Sequence, residues 1–145
     1  MSSTSGHDLK LTQLETNKRV VLDYVDAFNA RDYDRLSTLF APNAIIYGVL
    51  GSGGLEVVVP IWRELHSGLG VRLHVERISA DGDSVAVLYT ERGRFNAPFL
   101  QHTPTGKTFE ITAMEWFIVR DGKIQQRWGV RDSATIARQV GIPLN

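Results

Sequence analysis

The chain has 145 residues, 43% of them hydrophobic and 22% charged, and its 16 basic and 16 acidic side chains cancel. That length and composition suit one globular domain with a single core, and a net charge of zero provides no field for nucleic acid. There is no cysteine, which excludes disulfides, thiolate metal sites and a cysteine nucleophile, and no apolar run is long enough to span a membrane.

Residues 1–12 lack the apolar run of a signal peptide and read as a flexible polar tail, with a cytoplasmic protein as the expectation. Residues 13–145 read as one domain. From about Leu14 to Ala30, Val21, Tyr24, Val25 and Phe28 recur at helical spacing. Asp32 is placed to cap a second short helix whose apolar face is Leu36, Leu39 and Phe40. AIIYGV then reads as a short buried strand, broken by LGSGG. A third helix carries Val58, Ile61, Trp62, Leu65 and Leu69 on one face. Pro60 is tolerated only near a first turn, which puts the start of that helix close to Val57.

After GLG the pattern changes. RLHVERIS, SVAVLYTERGRF, KTFEITAMEWFIVR and KIQQRWGVR are four strands rich in β-branched and aromatic residues. ADGD and VRDGK are tight turns that join neighbours into hairpins, and NAPFLQHTPTG is a longer connection. SATIARQV is a closing helix, with Asp132 placed to cap it and Gly141 to end it. Helices followed by a strand meander predict an α+β fold, a curved antiparallel sheet wrapped around N-terminal helices into a cone with an inner cavity.

Several motifs carry no chemistry. GVLGSGG lacks both the GK[ST] ending and the GxGxxG spacing, so it reads as a loop at the cavity mouth. His7, His66, His74 and His102 have no metal-ligand spacing, and no serine sits in a GxSxG elbow. No metal site is expected.

Side chains alternate along a strand. In KTFEITAMEWFIVR the odd positions include Phe109, Ile111, Ala113, Glu115 and Phe117, and the even ones Thr112, Met114, Trp116 and Ile118. Both faces are largely apolar. One meets the helices; the other calls for a second subunit packed sheet to sheet, through Trp116 and Trp128, or else remains a partly exposed aromatic ladder. Glu115, between Ala113 and Phe117, needs a partner. A three-residue loop in VRDGK would pair Glu115 with Arg127, and YTERGRF would bring Thr90 and Arg92 to the same level. Arg92, Glu115 and Arg127 then make either a structural salt bridge or a cluster that binds and polarises ligand oxygens. Gly93 suggests a bulge, beyond which Arg94 can point in or out. Tyr47 either presents its hydroxyl to the pocket or packs in the core.

NKRVVLDYVDAFNARDYDRLSTLFAPNAIIY, ADGDSVAVLYTERGRF, TPTGKTFE and RDGKIQQRWGVRDSATIARQVG together resemble the SnoaL-like proteins of the nuclear-transport-factor-2 superfamily, over nearly the whole chain after the tail. The resemblance implies a polyketide cyclase or hydroxylase that binds no metal or flavin, with molecular oxygen and a reductant from a partner reductase if it hydroxylates. YTER and PTGK are also similar to limonene-epoxide hydrolases. Carried over residue by residue, the hydrolase arginine falls on Arg92 and its tyrosine on Tyr47. Its aspartates fall on Arg94 and Gly129, and its asparagine on Val49. The cyclase aspartate also falls on Gly129, and its histidine on Glu115. The resemblance therefore implies an altered site. Arg92 would stabilise enolate charge with Arg127 assisting, and Glu115 would shuttle a proton. Trp62 and Phe117 would hold a flat substrate, with Tyr47 and Arg94 at its edges and Gly129 giving space. A ligand-binding or interaction module of the same fold is the alternative.

Overall fold

The structure is a computed structural model and describes residues 6–143, apart from the side chain of His7. Its elements are α1 (Gly6–Asn29), α2 (Tyr33–Thr38), β1 (Phe40–Tyr47), β2 (Ser52–Gly53), α3 (Leu55–Leu69), β3 (Arg72–Asp81), β4 (Ser84–Arg94), β5 (Thr108–Arg120), β6 (Lys123–Arg131) and α4 (Ser133–Val140). The α+β architecture is the expected one.

The stripe of Val21, Tyr24, Val25 and Phe28 is buried and anchors α1 on the sheet. The helix begins at Gly6, so residues 6–12 are helical rather than part of a tail; residues 1–5 of the expected tail lie outside the described residues. Leu9 and Leu11 are exposed there. Those turns bury little, but extending a helix from a buried segment costs far less than starting one. The Asp32 side chain accepts from the Arg35 amide at 3.1 Å and caps α2. Asp132 does the same for α4 through the Thr135 amide at 3.0 Å, and Gly141 closes that helix at φ 82°. α3 starts at Leu55, two residues earlier than expected, which places Pro60 inside the helix.

The six strands form one sheet in the order β2-β1-β6-β5-β4-β3. It departs from an all-antiparallel sheet at one place: β1 runs parallel to β6. α1 and α3 lie on the inner face and α4 against β5.

Two registers differ from expectation. Arg120 pairs with Lys123 across a two-residue turn, with Asp121 at φ 54° and Gly122 at φ 72°, both in the left-handed region such a turn requires. An irregularity between Ile118 and Val119 then resets the ladder, so that Phe117 faces Arg127 and Glu115 faces Gly129. On the other side Glu115 faces Val87, while Arg92 faces Glu110, five positions away.

His66 on α3 is 2% exposed, packs 4.3 Å from the Phe28 ring, and shares a 2.6 Å hydrogen bond between its Nδ1 and the Tyr33 hydroxyl. Burial, with help from the nearby Arg31 charge, lowers its pKa to about 4. The unfolded chain takes up this proton near pH 6.5, so stability is intact above that pH and falls as pH drops towards 4. The expected loss between pH 8 and 4.5 is about 2 kcal/mol, somewhat below the full linkage value because half-buried Tyr33 leaves water close by. Urea midpoints of wild type and His66→Phe at the two pH values measure it. Equal pH losses in both proteins would exclude His66 as the source.

Candidate active site

The inner sheet face, α1 and α3 enclose a cavity of about 70 Å³, or about 610 Å³ when its open mouth is included. Tyr24, Phe28 and Trp62 form an aromatic wall, Val58, Ile61, Leu65, Val71 and Leu73 an aliphatic one, and the 48–51 turn the mouth. The opposite wall is polar: Tyr89 and Glu91 from β4, Glu115 from β5, and Arg127, Gly129 and Arg131 from β6. These positions alternate with outward ones along each strand, which brings every second residue to the same surface.

Glu115 Oε2 lies 3.1 Å from Arg127 Nη1 and accepts a hydrogen bond from the Tyr24 hydroxyl at 3.1 Å. The two charged side chains are 11% and 7% exposed, so the pair is almost fully removed from water. Arg127 leans diagonally across the ladder to make this contact. It can do so because Gly129 has no side chain: a Cβ there would overlap Arg127 Nη1 and stand 3.5 Å from Glu115 Oε2. Gly129 is thus the space the guanidinium occupies.

A second pair, Glu91 and Arg131, joins β4 to β6 across β5. Ala113, paired with Tyr89 on one side and Arg131 on the other, lies between them, and its methyl group leaves room for the crossing. Tyr89 Oη, Glu115 Oε1, Arg127 Nε and Arg131 Nε are buried without a hydrogen-bond partner, and all four belong to residues lining the cavity. Burial raises the Tyr24 and Tyr89 hydroxyls well above the usual tyrosine range, and the Glu115 charge adds to it. Burial also raises Glu91, against the pull of Arg131 and with help from the charge of Glu115. For Arg127 burial is the largest influence and works downwards, but the Glu115 charge together with the Tyr24 and Tyr89 hydroxyls outweighs it, and the guanidinium is held more firmly charged.

Of the residues expected at the site, Glu115, Arg127, Trp62 and Gly129 line the cavity. Phe117 is fully buried behind it, edge-on to Tyr24 at 5.1 Å, and supports the wall without facing the space. Arg92 does not flank Glu115. It points outward and pairs with Glu110 at 2.5 Å, because Val85, Val87, Tyr89 and Glu91 take the inner positions of β4. Arg94 is exposed on the same outer side. Gly93 makes no bulge, since pairing continues unbroken from Arg92 to Arg94. A Cβ at Gly93 would overlap the Leu69 carbonyl oxygen, so this glycine permits close approach of α3. Tyr47 stacks on Trp128 at 5.2 Å with planes 9° apart, away from the cavity. His74 is exposed beside Glu76.

The sequence marks Tyr24 only as part of the helical stripe, and does not mark Tyr89, Glu91 or Arg131 as site residues. Glu91 shares its parity with Val85, Val87 and Tyr89, but Ala86 and Leu88 make the opposite face of β4 apolar as well, so alternation alone does not place it inside. Among the described residues no group of three or more His, Asp or Glu is placed to hold a metal ion, and no helix is long and apolar enough to cross a membrane.

Known structures repeat this architecture. AclR of Streptomyces galilaeus, a proposed hydroxylase, superposes with a TM-score of 0.81 at 21% identity, over 91% of this chain and 89% of that one. IdmH of Streptomyces antibioticus, a proposed polyketide cyclase, gives 0.79 at 28% identity, over 86% and 98%. A proposed SnoaL-like polyketide cyclase from Jannaschia sp. CCS1 gives 0.82 at 20% identity, over 99% and 100%. No curated protein matches the chain. Residues 18–140 match the SnoaL-like polyketide cyclase family, most of the chain's length, and the protein belongs to that family.

Proposed function

We propose that the protein is a small-molecule enzyme of secondary metabolism that cyclises or hydroxylates a flat, oxygen-rich, polyketide-like substrate. The observation that carries this reading is the polar wall: two buried carboxylate–guanidinium pairs facing an aromatic wall across one cavity. Trp62 and Tyr24 offer flat apolar contact, Arg127 offsets charge developing on a substrate oxygen, and Glu115 exchanges a proton with that oxygen. Epoxide opening has less support, because Arg92 and Arg94 lie outside the cavity. The enclosed space is well below the roughly 300–1,000 Å³ of ordinary ligand sites. A multi-ring substrate therefore enters with the 48–51 turn displaced outward.

In a cyclisation the enolate carbon attacks a carbonyl and the loss of water aromatises the new ring. In a hydroxylation the C–H compound, molecular oxygen, two electrons and two protons give the alcohol and water, with a partner reductase supplying the electrons. Incubation with aromatic polyketide ketones, quinones and their dihydroquinones, with and without a flavin-linked reductase, separates the outcomes by mass: loss of water for cyclisation, gain of one oxygen for hydroxylation. The small enclosed volume and the absent acid at Gly129 favour a second reading, a ligand-binding module. Quenching of tryptophan fluorescence by these compounds that is lost in Trp62→Phe, with none converted under either condition, would establish the module and end the enzyme reading.

The active unit in this reading is a homodimer. Trp116, Trp128, Met114 and Val130 are 38–63% exposed on the outer sheet face, where Trp116 and Trp128 pair across strands. Trp116→Lys with Trp128→Lys is expected to halve the mass measured by light scattering while leaving the circular dichroism spectrum in place. A monomeric wild type would remove the dimer from the proposal.

A further inference from the structure

Glu91 occupies the cavity wall beside Tyr89 and is 4% exposed, yet neither the aromatic stacking nor the Glu115–Arg127 pair uses it. Arg131 reaches it from β6 over Ala113 and fixes its orientation. The two carboxylates of the wall are held differently. Glu115 Oε2 already receives the Tyr24 hydroxyl and stands against Arg127. Glu91 is tethered by Arg131 from the β6 side. The charged and titratable groups around it are Arg131 on β6, Glu115 on β5, Tyr24 on α1, and Tyr89 two residues before it on β4.

We propose that Glu91 is a catalytic residue that transfers a proton at a substrate carbon next to a carbonyl, with Arg131 as its positioning residue. The proposal rests on the reading of this cavity as the site of chemistry. In the step, a Glu91 carboxylate oxygen takes the proton from the α-carbon, and the C–H electron pair becomes the carbon–carbon double bond of an enolate. The negative charge moves to the carbonyl oxygen, where the Tyr89 hydroxyl, which lies near Glu115 without a well-formed hydrogen bond, and the Arg127 guanidinium are the donors at hand. Returning the proton from Glu91 to carbon restores the ketone, so the cycle needs no oxidant or reductant. Burial and the like charge of Glu115 raise Glu91 above the ordinary carboxylate range, which makes it a stronger base at neutral pH.

The division of labour assigns the oxygen end of the substrate to Glu115 and Arg127 and the carbon end to Glu91 and Arg131. It selects substrates with an acidic C–H beside a ketone on a flat ring. Exchange of the α-protons of 2-tetralone in D2O, followed by proton NMR, tests it with the full-length protein. Wild type and Arg92→Ala, whose arginine lies outside the cavity, are expected to exchange these protons well above the buffer rate. Glu91→Gln is expected to lower that rate by about 100-fold or more. Glu91→Asp recovers part of it. Arg131→Lys retains exchange with a displaced pH midpoint, and Glu115→Gln moves the midpoint down by removing the like charge.

Should Glu91→Gln unfold because Arg131 loses its counter-charge, Glu91→Gln with Arg131→Gln restores neutrality and carries the same test. Exchange by either folded variant at the wild-type rate would overturn the proposal, as would a wild type no faster than buffer. Conversion of polyketide compounds is read in its own assay, so lost exchange with conversion intact removes Glu91 and leaves the functional reading standing.

Discussion

Arg127→Met is expected to lower the unfolding free energy by about 3–5 kcal/mol, a fall of about 10–15 °C in Tm for a domain of this size. The reason lies in what stays behind. Glu115 is 11% exposed at its side chain, and with Arg127 gone its charge would face only the neutral Tyr24 and Tyr89 hydroxyls. Breaking a buried pair from one side leaves an uncompensated charge, whereas removing both charges leaves a neutral patch. Glu115→Gln combined with Arg127→Met should therefore recover most of the loss, a coupling of about 2 kcal/mol or more in a double-mutant cycle. Urea denaturation of the four proteins measures it. If the double variant were as unstable as the sum of the singles, the pair would not be the structural unit inferred from its geometry. Ligand conversion should fall in Arg127→Met and stay low in the stabilised double variant, which separates the loss of chemistry from the loss of fold.

Gly129→Ala is expected to cost about 2 kcal/mol, although replacing a strand glycine ordinarily stabilises by about 0.5–1 kcal/mol. The added methyl group takes the position of Arg127 Nη1, and the guanidinium has to leave the Glu115 carboxylate to avoid it. In the Arg127→Met background that conflict is absent, so the same substitution should be neutral or stabilise by about 0.5 kcal/mol. A change of sign between the two backgrounds, read from denaturation midpoints, is the signature. An equal cost in both would mean that Gly129 is needed for the backbone and not for the arginine. Gly129→Asp follows the same logic: its carboxylate would enter the guanidinium's space and draw Arg127 away from Glu115. No gain of cyclase activity is expected from restoring an acid there.

The positions where sequence and structure part company are instructive. The Glu115–Arg127 contact was expected from direct pairing. It forms instead across a diagonal, because the two-residue Asp121–Gly122 turn and the irregularity at Ile118–Val119 together reset the ladder. On β4 the difference is one of face. Val85, Val87 and Tyr89 alternate with Ala86 and Leu88, so both sides of the strand are apolar and alternation does not choose between them. Glu91 holds the inward place that the sequence leaves open to its neighbour Arg92. The partner of Glu91, Arg131, comes from another strand, at a separation of 40 residues.

Some features were decided by the chain alone. The helix caps at Asp32 and Asp132, the left-handed closure at Gly141, the order of helices and strands, and the need of Glu115 for a partner each depend on a few neighbouring residues or on one buried charge. Hydrogen bonds and φ preferences within such short stretches are nearly independent of the rest of the fold. Strand register is different. It is settled by the packing of a whole sheet, and a slip of one residue moves every side chain to the opposite face. That is why only the tertiary structure could place Glu91 and Arg131 inside, turn Arg92 and Arg94 out, and show that Gly129 is the space into which Arg127 fits.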